Sequence, residues 1–552
     1  MSGMTQRRIL VTAALPYANG AIHLGHMLEY VQTDIWARFQ RAMGHEVWFA
    51  WADDAHGTPI MLHAQKRGIT PEQLIEQMAG EHQRDFQDFG LSYDAFESTH
   101  SHANQALVEL IWARLNDAGA VSQRTIAQYF DPNEGMFLPD RFIRGTCPKC
   151  HAPDQAGDSC DACGASYDPT DLIDPHSAVS GATPILKDTE HFFVSLEQFQ
   201  DALSAWIHSG AVQTEVANKL KEWFGERLRD WDVTRDAPYF GFPIPGQTDK
   251  YFYVWLDAPV GYLASFQTIC EREGLDFDEW MSPQTTTEMH HFIGKDIIYF
   301  HCLFWPAMLE GAGFRKPTGV HAHGFLTVNG AKMSKSRGTF IKARTWLDHI
   351  NADALRYYFA AKLTPGLGDI DLSLDDFKAR VDSDLVGKLV NIASRSAGFI
   401  HKLGNGRLSD ALVDPALYAH FLAQKQPIIE DYENRNFAGV VRQVMALADE
   451  ANQYVDQHKP WQMAKESGRE DEVVAVCTQA LNLFRLMITW LAPVIPSTAD
   501  RAGEFLNAPM GDFHSPDTPL LDHSIEAFKP LMRRIEPVQL DQVIEASKDS
   551  LG

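Results

Sequence analysis

The feature that most limits the fold is a strand, a loop, a helix and a second strand in immediate succession near the N-terminus. Ile9-Leu10-Val11-Thr12-Ala13 is a short apolar and β-branched run that stops before Pro16, and Tyr17-Ala18-Asn19-Gly20 reads as a turn. Leu24, Leu28, Val31, Ile35 and Phe39 then recur at helical spacing, and Val47-Trp48-Phe49-Ala50 opens a second strand that ends in Asp53-Asp54. A crossover helix between two strands brings them back parallel, so this segment predicts an α/β domain on a parallel sheet. From about Val121 to about Pro175 the pattern breaks into turn residues, prolines and cysteines, which reads as an insertion. The α/β texture resumes near Tyr251-Phe252-Tyr253-Val254-Trp255, and Asn329-Gly330 after Phe325-Leu326-Thr327-Val328 predicts a hairpin. Beyond about Asp375 helical periodicity dominates, as at Val440, Val441, Val444, Met445 and Leu447, and predicts a helix bundle.

A chain of 552 residues has room for three or four such units. With 45% hydrophobic and 22% charged residues it is neither disordered nor fibrous. The longest apolar run, 486–495, lies between Arg485 and Pro496 and falls short of the ~20 residues that cross a bilayer. The N-terminus runs straight into a strand without a signal-peptide pattern, so a soluble, cytoplasmic protein with no membrane partner is expected. The net charge of −25 argues against non-specific nucleic-acid binding, but it leaves room for a partner held on a local basic surface.

Three motifs carry chemistry. His23-Leu24-Gly25-His26 opens the first helix, so its two histidines share one face where free N–H groups and the helix dipole favour anions. Gly25 leaves room for a flat ligand to approach the backbone. Lys332-Met333-Ser334-Lys335-Ser336 follows the Asn329-Gly330 turn and could close cations over a polyphosphate as charge develops. Alone, the first could be two exposed polar residues and the second a solvated loop. The third is Cys147-x-x-Cys150 with Cys160-x-x-Cys163, nine residues apart. Two such knuckles supply four thiolates, which suits one closed, structural, tetrahedral Zn²⁺ better than disulfides in a cytosolic chain. The other cysteines, Cys270, Cys302 and Cys477, sit in apolar surroundings and read as buried small hydrophobes.

The histidine and lysine signatures together, in that order, resemble class I aminoacyl-tRNA synthetases. Ala14-Leu15-Pro16-Tyr17-Ala18-Asn19-Gly20, Ala52-Asp53-Asp54-Ala55-His56-Gly57-Thr58-Pro59, Tyr253-Val254-Trp255-Leu256-Asp257-Ala258-Pro259 and Phe292-Ile293-Gly294-Lys295-Asp296 look like the methionyl-tRNA synthetases of the bacterial type with one Cys₄ knuckle, over essentially the whole chain. The resemblance implies a Rossmann-like parallel-sheet catalytic core, a zinc-binding connective insertion over the active site, and an all-α helix-bundle anticodon-binding domain. The corresponding boundaries are 1–118 and 236–325 for the two halves of the core, 119–235 for the insertion, 326–385 for the KMSKS loop and stem-contact region, and 386–552 for the helical domain.

It also implies a reaction. The methionine carboxylate attacks the α-phosphorus of ATP, with Mg²⁺ accompanying the nucleotide, to give methionyl-adenylate and pyrophosphate. A terminal ribose hydroxyl of tRNA(Met), initiator tRNA included, then takes the methionyl group. Catalysis would fall to His23, His26, Lys332 and Lys335, and ATP would be held by His23, Gly25, His26, Asp296 and Lys335. Methionine would be bound by Leu15, Tyr17, Asp54, Trp255, Ala258, Pro259, Tyr262, Phe300, His301 and Trp305. A polarizable thioether suits that aromatic wall. Asp54 stands where a carboxylate can hold the substrate ammonium, with Asp53 as its rival, and Arg235 matches an arginine near the active site. Asn391, Arg395, Pro460 and Trp461 would contact the CAU anticodon. The plainer reading of those last residues is a helix–helix polar contact and a core tryptophan. A monomer is expected from the residues given, and a homodimer if the chain continues into the C-terminal OB domain of many relatives.

Two other readings stay open at this point. One is another class I synthetase for an apolar amino acid, although the leucine, isoleucine and valine enzymes carry large editing insertions and the cysteine enzyme uses zinc to bind its substrate. The other is a non-catalytic tRNA-binding or zinc scaffold protein.

Overall fold

The computed structural model describes residues 6–157, 160, 162, 163, 165, 167–224, 227–332 and 339–549. The N-terminal unit has the expected form: β1 (Arg8–Ala13), α1 (Leu24–Ala42) and β2 (Glu46–Asp53), with β1 and β2 parallel. β3 (Ala95–Ser98) follows; later in the chain come α2 (Val260–Glu273), β4 (Glu288–Gly294) and β5 (Gly319–His323). The sheet runs β5-β4-β1-β2-β3 and every pairing is parallel. Strand order reverses at β1, because β2 lies to one side and β4 to the other. In an open α/β sheet the ligand crevice forms at that reversal, beyond the carboxyl ends of the strands.

Leu24, Leu28, Val31, Ile35 and Phe39 of α1 are all fully buried, which is why the helical period was visible. α2 lies close over β2 and β3. A Cβ on Gly261 would meet Thr99 Cγ2 at 2.9 Å and Leu15 Cδ1 at 3.2 Å, so glycine there permits the contact.

The insertion is more regular than its turn-rich sequence suggested. Val121–Asp131 and Ile185–Val194 form a long antiparallel pair, and a small sheet of Ile143–Thr146, Gln155–Ala156 and Ile173–Ser177 accompanies the cysteines. The run at Tyr251 also divides: Lys250–Phe252 is a strand and Val254–Asp257 a helical turn. Asn329 and Gly330 both have positive φ, 49° and 73°, and join Leu326–Val328 to Ala331–Lys332 as the expected hairpin.

The C-terminal part is helical, with α3 (Asn391–Gly404), α4 (Phe437–His458) and α5 (Glu470–Leu491) at its centre. α5 corrects one expectation. It is long and apolar enough to span a bilayer, although polar residues break its apolar run, yet it is the buried core helix of the bundle.

The helical part is tied to the sheet domain through Arg356, whose side chain is fully buried. Its guanidinium donates to Asp34 Oδ2 on α1 at 2.6 Å and to the Pro493 and Val494 carbonyls, each at 2.9 Å. Asp34 also accepts from Arg38 and from the Ser92 N–H and hydroxyl. Burial opposes the charge on Asp34, but Arg38 and Arg356 outweigh it and hold the carboxyl far below its usual range.

Candidate active site

The crevice at the strand-order reversal is lined by the residues that follow β1, β2 and β4. His23 caps α1. Its Nδ1 accepts from the Gly25 N–H at 3.1 Å, and His26 Nδ1 accepts from the His23 N–H at 3.4 Å. The two rings stack with centroids 3.6 Å apart. Burial lowers His23 to about 4 and, with His23 and His82 nearby, holds His26 well below the ordinary histidine value. Both imidazoles are therefore neutral, and because Nδ1 accepts in each, the proton sits on Nε2. The motif presents two N–H donors beside a helix N-terminus, an arrangement suited to phosphate oxygens without any fixed cation.

The segment after the KMSKS motif docks on this cap. Leu24 N–H donates to the Ile341 carbonyl at 2.9 Å, Ala343 N–H donates to the Ile22 carbonyl at 2.8 Å, and His23 bridges Lys342. Lys332 pairs through its backbone with Thr327. Met333, Ser334, Lys335 and Ser336, with the Lys332 side chain, lie outside the described residues. Ile341, Lys342 and Ala343 thus lie against the histidine cap, far away in sequence.

At the end of β2 the two aspartates part company. Asp53 is committed to His82 at 2.7 Å, and the other nitrogen of that ring donates to the Gly20 carbonyl at 2.8 Å. Burial opposes charge on His82, but Asp53 and Gly20 outweigh it and raise its pKa. Asp54 has no such partner: among the described residues nothing hydrogen-bonds its buried Oδ1. Burial first, then the neighbouring Asp257 carboxylate, raise Asp54 well above the usual range. An unpaired, desolvated carboxylate is costly unless a cation completes it.

Next to Asp54 stands the aromatic wall. Tyr262 donates its hydroxyl to His301 Nε2 at 2.9 Å, while His301 Nδ1–H donates to the Ile297 carbonyl at 3.2 Å, which fixes the tautomer. The Leu15 backbone N–H faces the same hydroxyl. Burial lowers His301 to about 4, so this ring is neutral too. Trp255 stacks on Phe300 at 3.8 Å. Trp305 is fully buried and donates its indole N–H to His291 at 3.1 Å, and His291 in turn meets Thr12 on β1. Ala258 and Pro259 lead into α2, and Tyr17 bridges Asp54 through its backbone. Asp296 lies exposed in the turn after β4, with its carboxylate folded over Gly294, where a Cβ would meet Oδ1 at 2.6 Å. Arg235 is held by stacking on Tyr253, its guanidinium 3.8 Å from the ring centre.

Sequence reasoning missed Glu29, His56, His100, Tyr239 and Asp257. Glu29 lies one turn beyond His26 and close to Gly294, and its buried Oε1 has no partner among the described residues. For Glu29 and Asp257 a signal was present, a carboxylate inside an otherwise apolar run; His56, His100 and Tyr239 carry no such mark.

In the insertion, the four cysteine sulfurs lie within 4.8 Å of one another, with Cys147 to Cys163 at 3.9 Å and Cys150 to Cys160 at 3.5 Å. A tetrahedral Zn–S distance of ~2.3 Å requires sulfurs about 3.8 Å apart, so the set fits a four-coordinate ion. Backbone N–H groups of Lys149 and Cys150 point at Cys147 Sγ and that of Cys163 at Cys160 Sγ, all at 3.4 Å, a geometry that suits thiolates. Cys270, Cys302 and Cys477 are buried, as their surroundings implied.

In the helical domain, Asn391 and Arg395 lie on α3, and Trp461 begins the short helix Pro460–Met463. The Arg395 guanidinium covers the half-buried Trp461 ring at 4.5 Å and pairs with Asp456. Asn391 meets Asn452 at 3.4 Å, and Pro460 is buried.

Residues 9–397 match the family model of class I tRNA synthetases (M), which is more than half of the chain. The chain belongs to the methionyl-tRNA synthetase family. Residues 408–527 match the anticodon-binding domain of methionyl-tRNA ligase. It is a ligase that activates methionine with ATP and charges tRNA. The fold is that of the Mycobacterium tuberculosis methionyl-tRNA synthetase: the structure bound by methionyl-adenylate superposes with a TM-score of 0.79 at 22% identity, covering 96% of this chain and 100% of that one. The apo form of the same protein gives 0.73 at 21% identity, covering 97% and 100%.

Proposed function

We propose that methionine binds with its ammonium on Asp54 and its thioether against the wall of Leu15, Trp255, Ala258, Pro259, Tyr262, Phe300, His301 and Trp305, with Tyr17 beside it. The unpartnered Asp54 Oδ1 carries this reading, since a buried carboxylate without a cationic partner beside an apolar aromatic pocket fits a small amino acid with an apolar side chain. A neutral Tyr262–His301 pair supports it further: no charge faces the thioether, and a charged substrate side chain would find no counter-ion there. ATP lies across the histidine cap, with His23 and His26 donating to phosphate oxygens, Gly25 leaving room for the purine and Asp296 near the ribose. Lys332 and Lys335 stabilise the departing pyrophosphate, and Mg²⁺ accompanies the nucleotide. Catalysis is chiefly positioning and charge stabilisation, without a covalent enzyme intermediate. Pyrophosphate exchange with each of the twenty amino acids tests the assignment. Exchange should be strongest with methionine, and preference for a charged or bulkier amino acid would refute it.

Zn²⁺ is held by Cys147, Cys150, Cys160 and Cys163 and braces the insertion. Elemental analysis of the freshly purified protein should find one zinc per chain, and a Cys160→Ala/Cys163→Ala variant should lose it. Zinc retained in that variant would show that the metal lies elsewhere.

Asn391, Arg395, Pro460 and Trp461 form the anticodon contact. Trp461 packs partly against the bundle core and under Arg395, and its exposed part would stack on an unpaired base. Trp461→Ala should weaken tRNA binding by ~1–3 kcal/mol, roughly tenfold to hundredfold, while methionine-dependent pyrophosphate exchange stays near wild type. Were exchange and thermal stability to fall together, Trp461 would be a core residue only. We further propose that the protein is a cytoplasmic monomer that serves tRNA(Met), with mass measurement in solution as the check.

A further inference from the structure

Asp54 is joined through His56, whose backbone N–H bonds it and whose ring meets Asp257, to a second buried carboxylate that no step above uses. Asp257 is fully buried, and its Oδ1, like that of Asp54, has no hydrogen-bond partner among the described residues. Its other oxygen meets His56 Nδ1 at 3.0 Å, and His56 is two residues along the chain from Asp54. The second nitrogen of His56 meets His100 Nδ1 at 2.9 Å. His56 is fully buried, whereas His100 is half-buried, so a hydrogen-bonded file of Asp257, His56 and His100 leads from the pocket towards the surface. Tyr17 and Tyr239 border the same space, with their hydroxyls 3.0 Å and 3.9 Å from the point where a Cβ of Gly57 would stand.

Two carboxylates in one desolvated pocket cannot both carry charge cheaply when no cation is present. Resting on the reading that methionine places its ammonium at Asp54, we infer that Asp54 and Asp257 share one proton in the empty site and release it when methionine binds. The arriving ammonium supplies the positive charge that the proton supplied before, so the pocket's net charge is unchanged. The proton passes to solvent, and the His56–His100 file gives it a route. Asp257 is thus a positioning residue: it keeps the empty pocket electrically balanced and answers to a cation, not to an apolar molecule of the same shape.

The groups facing the pair agree with this. Burial, then the Asp257 charge, raises Asp54, and burial raises Asp257 against the pull of His56. Asp53 adds a further negative charge near Asp54, while the His56 backbone N–H favours the ionised form. Tyr17 and Tyr239 face both carboxylates, and Tyr262 faces Glu29 and Asp54; burial first, then these carboxylates, lift all three phenols, so none supplies charge. Arg235 faces Tyr239 and is engaged on Tyr253.

The test is calorimetry of methionine binding, without ATP or tRNA, in two buffers of different ionisation enthalpy and at several pH values. The wild type should release about one proton per methionine below the pair's titration, with affinity rising about tenfold per pH unit there and then levelling. Asp257→Asn should abolish most of that release and flatten the rise. His56→Gln should move the levelling point to higher pH, because it removes the ring that draws the proton from Asp257, and this variant decides the matter if Asp257→Asn does not fold. Wild-type binding without proton release would overturn the inference, as would an unchanged release in Asp257→Asn. Asp54→Asn separates the two levels: methionine binding at wild-type strength there would mean that the pocket reading itself is wrong.

Discussion

Asp54→Asn should raise the methionine requirement for pyrophosphate exchange by roughly thirtyfold to several thousandfold, the range for losing one partner of a buried charge pair at ~2–5 kcal/mol. The isosteric amide keeps the shape of the pocket but removes the carboxylate that meets the substrate ammonium, leaving only the more distant Asp257 to balance it. The loss should appear chiefly in KM for methionine, because the ammonium contact is already made in the ground state and does not change as the adenylate forms. ATP affinity, measured separately, should hold. Asp53→Asn makes the informative contrast. Asp53 is spent on His82, which in turn holds the Gly20 carbonyl. That variant should loosen the turn after β1 and lower thermal stability, with a smaller change in methionine KM. If the two variants exchange these signatures, Asp53 and not Asp54 holds the substrate.

Arg356→Leu should cost ~3–5 kcal/mol, since it strands a fully buried Asp34 without its deepest partner. It also removes the donors to the Pro493 and Val494 carbonyls, which tie the helical domain to α1. A melting curve should show a large drop, and limited proteolysis should find the helical part released early. Replacing Arg356 and Asp34 together with apolar residues of similar volume should recover much of the loss, because no charge is then left buried alone. A single variant that melts like the wild type would mean that water or Arg38 compensates for the missing guanidinium.

Much of the fold was legible because it obeys periodicity. A helix that buries one face repeats its apolar residues every three to four positions, and α1 did so at Leu24, Leu28, Val31, Ile35 and Phe39. Asn329-Gly330 was equally readable, since few residues other than Asn and Gly accept two consecutive positive φ angles cheaply. The cysteine pairs were readable because a knuckle is local: four positions place two sulfurs on one ion. The insertion was not, since its long strands Val121–Asp131 and Ile185–Val194 are partly exposed on both faces and show no clean alternation. The buried α5 was read only in part, because Asn482 and Arg485 interrupt its apolar run yet bond the carbonyls of Leu520, Thr518 and Ser515 inside the bundle.

The site divides along the same line. By itself, the sequence determined the family, through short motifs whose chemistry depends on neighbours in the chain: the His23–His26 cap, the Lys332–Lys335 run and the Cys₄ set. It could not choose between Asp53 and Asp54, which differ only in what lies opposite. Tertiary structure distinguishes them by bringing His82 to Asp53 and no such ring to Asp54, which is the basis for proposing Asp54 as the ammonium ligand. It also brought Asp257, from two hundred positions away, into the pocket through His56, and the file of Asp257, His56 and His100 exists in no stretch of sequence. The physical reason is that charge and hydrogen bonding in a desolvated pocket depend on distance in space, which the chain's local pattern does not encode.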